Sequence, residues 1–187
     1  AADDAIHART MEPVIMVAVD NAGDKRVDEY TPARDPQKDA GGGAANSGRM
    51  LVEELQPLID SRYRTEPRTA IGGSSLGGLV SLYLALKRPD VFSRAALMSP
   101  SVWWNGRAIL SEVDAFHAAV RPRIWLDIGG REGAEAVLGA KALRDRLLAK
   151  GWNDENFHFH EERRGDHSER AWAGRVRKVL EFLFPPA

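Results

Sequence analysis

The chain of 187 residues is long enough for one domain with its own hydrophobic core, and Lys plus Arg total 26 against 27 Asp plus Glu. So even a balance leaves no overall field to draw the protein to nucleic acid or to an anionic membrane. Cysteine is absent, which excludes disulfides, thiolate metal ligands and a cysteine nucleophile together and leaves cytoplasm and periplasm equally open.

In chain order, PVIMVAVD (Pro13 to Asp20) is a continuous apolar, β-branched run. It predicts a strand buried on both faces of a parallel sheet. Its apolar stretch, Val14 to Val19, falls far short of the roughly 20 residues of a membrane span. No charged-then-apolar leader opens the chain, so the expectation is a soluble protein or the mature portion of one. Thr31 to Gly48, rich in Pro, Gly, Asp and Ala, predicts a long surface loop. MLVEELQPLIDSRY carries Leu51, Val52, Leu55, Leu58 and Ile59 at helical spacing, with a kink expected at Pro57.

RTAIGG then predicts a strand, and LGGLVSLYLALKRP a helix closed by Lys87, Arg88 and Pro89. RAALMSP (Arg94 to Pro100) and RIWLDIGG (Arg123 to Gly130) predict two more strands. GAKALRDRLLAKG predicts a helix with Gly151 just past its basic end, and NFHFHEER a strand. The last helix, ERAWAGRVRKVLEFL, carries Trp172, Val176, Val179, Leu180 and Leu183 on one face. The alternation predicts a single α/β domain over residues 1–187, with a mainly parallel sheet flanked by helices. Functional groups in such folds lie beyond the carboxyl ends of the strands.

One of those loops is distinctive. Gly73, Ser74, Ser75, Leu76 and Gly77 spell G-x-S-x-G between a predicted strand and a predicted helix. A sharp turn there lifts the Ser75 hydroxyl clear of the sheet and aims the positive end of the following helix at charge formed on it. Neither phosphate-binding nor dinucleotide glycine patterns fit, since no lysine follows until Lys87. A serine nucleophile needs a base. His7 and His117 read as surface residues. His158 and His160 share a strand face with no third metal ligand at suitable spacing. His167, in GDHSE between the last strand and the last helix, falls on the same sheet edge as Ser75. The acid is expected from the loop DIGGREG, where Glu132 is preferred and Asp127 is the alternative.

DNAGDKRVDEYTP, LVEELQPLIDSRYRT, AIGGSSLGGLVSLYLALKRPDVFSRAALMSPSVWW, WLDIGGREG and GDHSERAW follow one another in order. Over nearly the whole chain they resemble the putative esterase family of α/β hydrolases, with its esterase D, enterochelin esterase-like and feruloyl esterase-like members. The resemblance implies an α/β-hydrolase fold, Ser75 as nucleophile, His167 as base and the acid at Glu132. It also implies Trp103 and Trp104 as substrate contacts at the mouth of the site, a small-molecule ester as substrate, and no cofactor or metal. Leu76 N–H is then one oxyanion donor.

Family members usually carry further strands before VIMVAVD, one of them supplying the second oxyanion donor and lying between VIMVAVD and RTAIGG. The expectation is therefore an N-terminally shortened sheet: a fragment, a natural short form with the first strand repaired against the serine strand, or a homo-oligomer that completes the sheet. The turn at Asp20 and Asn21 is the expected replacement donor. An acyltransferase using the same serine and histidine, and a non-catalytic scaffold acting in binding or assembly, are the alternative readings.

Overall fold

The computed structural model describes residues 1–186. Helix α1 (Ala2–His7) opens the chain, and α2 (Arg26–Tyr30) follows an irregular stretch. The predicted loop is partly ordered: a short antiparallel hairpin pairs β1 (Arg34–Asp35) with β2 (Ala40–Gly41), and helix α3 (Ala44–Met50) begins inside it. Thr31 and Ala44 are fully buried, so this segment is more than a surface loop. Helix α3 runs through a π-helical turn, Leu51–Leu55, into α4 (Gln56–Arg62). The irregularity comes directly before Pro57, whose missing N–H cannot close the helical bond to the preceding turn.

The main sheet has four strands in the order β3 (Thr69–Ser74), β4 (Phe92–Met98), β5 (Arg123–Gly129), β6 (Phe157–Glu162), and every neighbouring pair is parallel. Between them run α5 (Leu76–Lys87), the short helices α6 (Trp104–Arg107) and α7 (Ile109–Asp114), and α8 (Ala134–Ala149). Helix α9 (Glu169–Leu183) closes the fold. Strand side chains alternate between the two faces. Ala95, Leu97, Ile124 and Leu126 join the large core under α5, α7 and α8, whereas Met98 and Trp125 pack with Val179 and Leu183 of α9 on the opposite face. Helices thus cover both faces, and this is why β4 and β5 read as nearly unbroken apolar runs. All four carboxyl ends point the same way and bring four loops to one edge.

The predicted first strand does not form. Residues 12–22 carry no regular secondary structure, and no strand pairs with the outer edge of β3 among the described residues. Ile15, Met16, Val17 and Val19 are 43% to 64% exposed. The run is anchored at its start. There Glu12 N donates to Phe184 O at 3.1 Å, Arg94 Nη1 donates to Glu12 Oε1 at 2.6 Å, and Val14 packs beside Leu180. Local composition makes a segment strand-prone, but ladder bonds must come from a neighbour, and no repaired pairing with β3 supplies them.

Candidate active site

Ser75 sits at the abrupt junction of β3 and α5 with φ 58° and ψ −123°, a left-handed conformation that L-residues rarely adopt. The turn is tied down from both sides. Ser75 N donates to Met98 O at 3.0 Å, and Ser75 O accepts from Leu79 N at 3.1 Å and from Ser101 N at 3.0 Å. Gly73 is required by contact, because a Cβ there would lie 2.8 to 3.0 Å from backbone atoms of Gly77. Leu76 opens α5, so its N–H has no acceptor within the helix.

The loop after β6 delivers His167, whose Nε2 lies 3.0 Å from Ser75 Oγ. The loop after β5 delivers Glu132, whose Oε2 lies 2.6 Å from His167 Nδ1. The Glu132 side chain is 1% exposed and that of His167 45%, so the acid is sealed under an imidazole that still meets solvent. An ionised carboxylate only accepts, so Nδ1 carries the imidazole proton and Nε2 presents its lone pair to the serine hydroxyl. Glu132 Oε1 accepts from Gly129 N at 2.7 Å and from Ser99 Oγ at 2.6 Å. Gly129 has to lack a side chain, since a Cβ would come within 2.6 Å of Glu132 Oε1 and 2.5 Å of Gly165 O.

Asp127, the alternative acid, lies elsewhere. It is fully buried at the end of β5, where it accepts from Arg175 Nη2 at 3.0 Å and from Trp125 Nε1 at 2.9 Å. Its direction is set by strand alternation: the side chain points to the α9 face, while Glu132 returns from beyond two glycines. Asn21, the expected replacement donor, lies on the irregular stretch before α2. It is exposed and its Oδ1 caps its own turn by accepting from Gly23 N at 3.0 Å. It makes no hydrogen bond to the Ser75 loop, because the segment that carries it is not held against β3. The two tryptophans divide. Trp104 is buried and its Nε1 donates to Ala33 O at 2.8 Å, clamping the β1–β2 hairpin. Trp103 is 40% exposed, with Lys38 Nζ 5.8 Å from its ring centre.

The remaining histidines stay apart from the site. His7 bonds Asp3 O, and His117 lies exposed beyond α7. His158 stacks on Trp125 at 4.5 Å, and desolvation there, followed by the nearby His160, pulls its pKa below the ordinary imidazole value. No cluster of three or more potential metal ligands occurs among the described residues.

Ser99, Ser101 and Arg175 were not picked out by sequence reasoning. Ser101 Oγ lies 3.3 Å from Ser75 Oγ, and Ser99 adopts φ 46° in the same loop. The signal for the two serines was present in SPSVWW, which directly follows a strand and so had to reach the functional edge, whereas Arg175 lies in α9.

A strained strand-to-helix serine after β3, faced by a carboxylate from the loop after β5 and a histidine from the loop after β6 of one parallel sheet, is the arrangement of the α/β-hydrolase class. The family model described as "Putative esterase" matches residues 1–183. The chain belongs to this family. The protein YbbA of Bacillus subtilis is 23% identical over 97% of this chain and 78% of its own length. The siderophore enterobactin esterase of Emericella nidulans is 31% identical over 56% of this chain and 39% of its own, and the ferri-bacillibactin esterase BesA of Bacillus subtilis 41% identical over 40% and 26%. The chain therefore spans well under half the length of these two siderophore esterases. Among solved structures, the BES protein from Bacillus cereus superimposes with a TM-score of 0.78 at 24% identity, over 98% of this chain and 74% of that one. The enterochelin esterase from Shigella flexneri does so with 0.77, over 96% and 44%. At such identities these two establish the fold.

Proposed function

We propose that the protein is a serine carboxylic ester hydrolase working through an acyl-enzyme, with Ser75 as nucleophile, His167 as general base and acid, and Glu132 as the residue that orients His167. The observation that carries this reading is the line from Glu132 to His167 to Ser75, with contacts of 2.6 and 3.0 Å. His167 Nε2 takes the Ser75 proton as Oγ attacks the ester carbonyl, and Glu132 stabilises the imidazolium that results. The proton then passes to the departing alkoxide, leaving the acyl group on Ser75. Water, activated by the same nitrogen, releases the acid. Leu76 N–H, at the positive end of α5, donates to the oxyanion, and these steps call on no metal or cofactor.

The substrate is a small-molecule ester. Siderophore esters are favoured because relatives described as siderophore esterases align with this chain. Trp103, with Lys38 beside its ring, offers such a substrate a flat face and a positive charge. A fluorophosphonate probe tests the serine. Labelling at Ser75 in wild type and its loss in Ser75→Ala are expected, and a folded protein with an unlabelled Ser75 would leave only the scaffold reading. Product analysis with a competing alcohol separates hydrolysis from transfer: free acid should dominate, and a dominant transesterification product would favour the acyltransferase.

A further inference from the structure

Behind Glu132 lies a buried polar cluster that the acyl-enzyme chemistry does not itself use. Ser99 Oγ is 2.6 Å from Glu132 Oε1, 3.0 Å from Trp172 Nε1 and 3.0 Å from Arg175 Nη2. Ser99 is 1% exposed and Arg175 3%. The indole N–H and the guanidinium can only donate. Both lone pairs of the Ser99 hydroxyl are therefore occupied by obligate donors, and its single proton has one acceptor left, Glu132 Oε1. The direction of this bond follows by elimination.

We propose that Ser99, locked by Trp172 and Arg175, is a positioning residue that holds the Glu132 carboxylate ionised and aimed at His167. The proposal rests on the ester-hydrolase reading of Ser75. Its physical content is the fate of a buried charge: a carboxylate at 1% exposure is costly unless its oxygens are satisfied. Here Oε1 takes two donors, Gly129 N and Ser99 Oγ, and Oε2 is reserved for the imidazole. Arg175 lends its positive end through Ser99, while Asp127 on the same Nη2 balances that charge, so the cluster orients Glu132 without adding net charge. Asp127 thus supports, through Arg175 and Ser99, the very acid for which it was the alternative. The backbone favours the arrangement: Ser99 N donates to Asp127 O at 3.0 Å, and a left-handed φ of 46° points the hydroxyl back at β5.

Removing the Ser99 hydroxyl leaves Glu132 with less compensation for its charge, so the Glu132–His167 pair takes up a proton at higher pH. The charged groups facing that pair are Arg175 and Asp127 from behind and Asp166 beside His167 in the chain, the last occupied by Ser168 Oγ. The substitution leaves all three residues in place and takes from Arg175 Nη2 its Ser99 acceptor, while its bond to Asp127 Oδ1 is kept. With p-nitrophenyl acetate and wild type as reference, Ser99→Ala should lower kcat about ten- to hundredfold with little change in KM, and move the acid limb of kcat/KM to higher pH. Turnover is normalised to fluorophosphonate-labelled sites, so a hydroxyl that only stabilised the fold would reduce the labelled fraction and leave the profile of each labelled site unmoved. Should Ser99→Ala fail to fold, Ser99→Gly removes the hydroxyl while relieving the left-handed backbone, and the same changes are expected. The imidazole NMR titration of His167 provides a readout that needs no turnover. Coincident His167 titrations in wild type and the Ser99 variant would overturn the proposal whether or not the protein hydrolyses esters. Wild type without turnover but with a shifted His167 titration in the variant would instead overturn the ester-hydrolase reading alone.

Discussion

A non-glycine residue at φ 58° carries backbone strain on the order of 1–3 kcal/mol, and under the proposed mechanism the Ser75 hydroxyl is the reason to keep it. Stability and function therefore pull in opposite directions at this residue. Both Ser75→Ala and Ser75→Gly should lose on the order of 10⁴-fold or more in turnover, but Ser75→Gly should unfold at a higher temperature than Ser75→Ala because glycine takes this conformation freely. Equal melting temperatures would mean that the turn stores no strain. Gly129 makes the complementary case: Gly129→Ala drives a methyl into Glu132 Oε1 and Gly165 O. It should cost at least about tenfold in kcat by displacing the acid, and Glu132→Gln, which preserves the shape but not the charge, should cost more. The choice between Asp127 and Glu132 was hard to read because DIGGREG offers one carboxylate in the strand and another in the loop just past it. The separating clue is Arg175, a cation within the apolar face of α9 at Trp172, Val176 and Val179, which could only be buried there opposite an anion.

At the scale of elements, α9 connects packing to chemistry, since its cap directly follows His167. Ser168 accepts from Ala171 N at 3.3 Å and donates to Asp166, so one hydroxyl starts the helix and fixes the loop that carries the base. Ser168→Ala should lower stability by about 1 kcal/mol, read as a fall in the urea midpoint, and a loss of turnover larger than that change in folded fraction would place the effect in the loop. Strands β3 to β6 and helices α5, α8 and α9 were legible because their periodicity, caps and burial all agree. The disturbance near Pro57 was legible too, although the chain resolves it as a π-turn ahead of the proline. The hairpin β1–β2 was not, because it is held by remote contacts such as Trp104 Nε1 to Ala33 O, which no local pattern in residues 31–48 records.

Over the whole molecule, the sheet has two edge strands, β3 and β6, and the serine turn leaves from the β3 edge. Parallel strands are normally covered on both faces and paired on both edges, or else protected. Here the outer edge of β3 has no strand partner among the described residues, and Ile15, Met16, Val17 and Val19, much earlier in the chain, stand out in solvent. The apolar run was misread as a strand for the same reason that it is now exposed, since its composition suits a central position and the partner that would create that position is not among the described residues. An open edge and an exposed apolar stretch both favour association between chains. The protein at high micromolar concentration should therefore sediment with a mass that rises with concentration. The double variant Met16→Lys/Val17→Lys should suppress that rise, because lysine on an unpaired segment opposes edge pairing. Its melting temperature should change little, as both side chains lie outside the packed clusters. Since this run also makes no hydrogen bond to the Ser75 loop, turnover per labelled serine should be retained. A variant that stayed associated would move the source of association from the apolar run to the edge of β3 itself, whereas a variant that lost turnover would show that Pro13 to Asp20 reaches the site in solution.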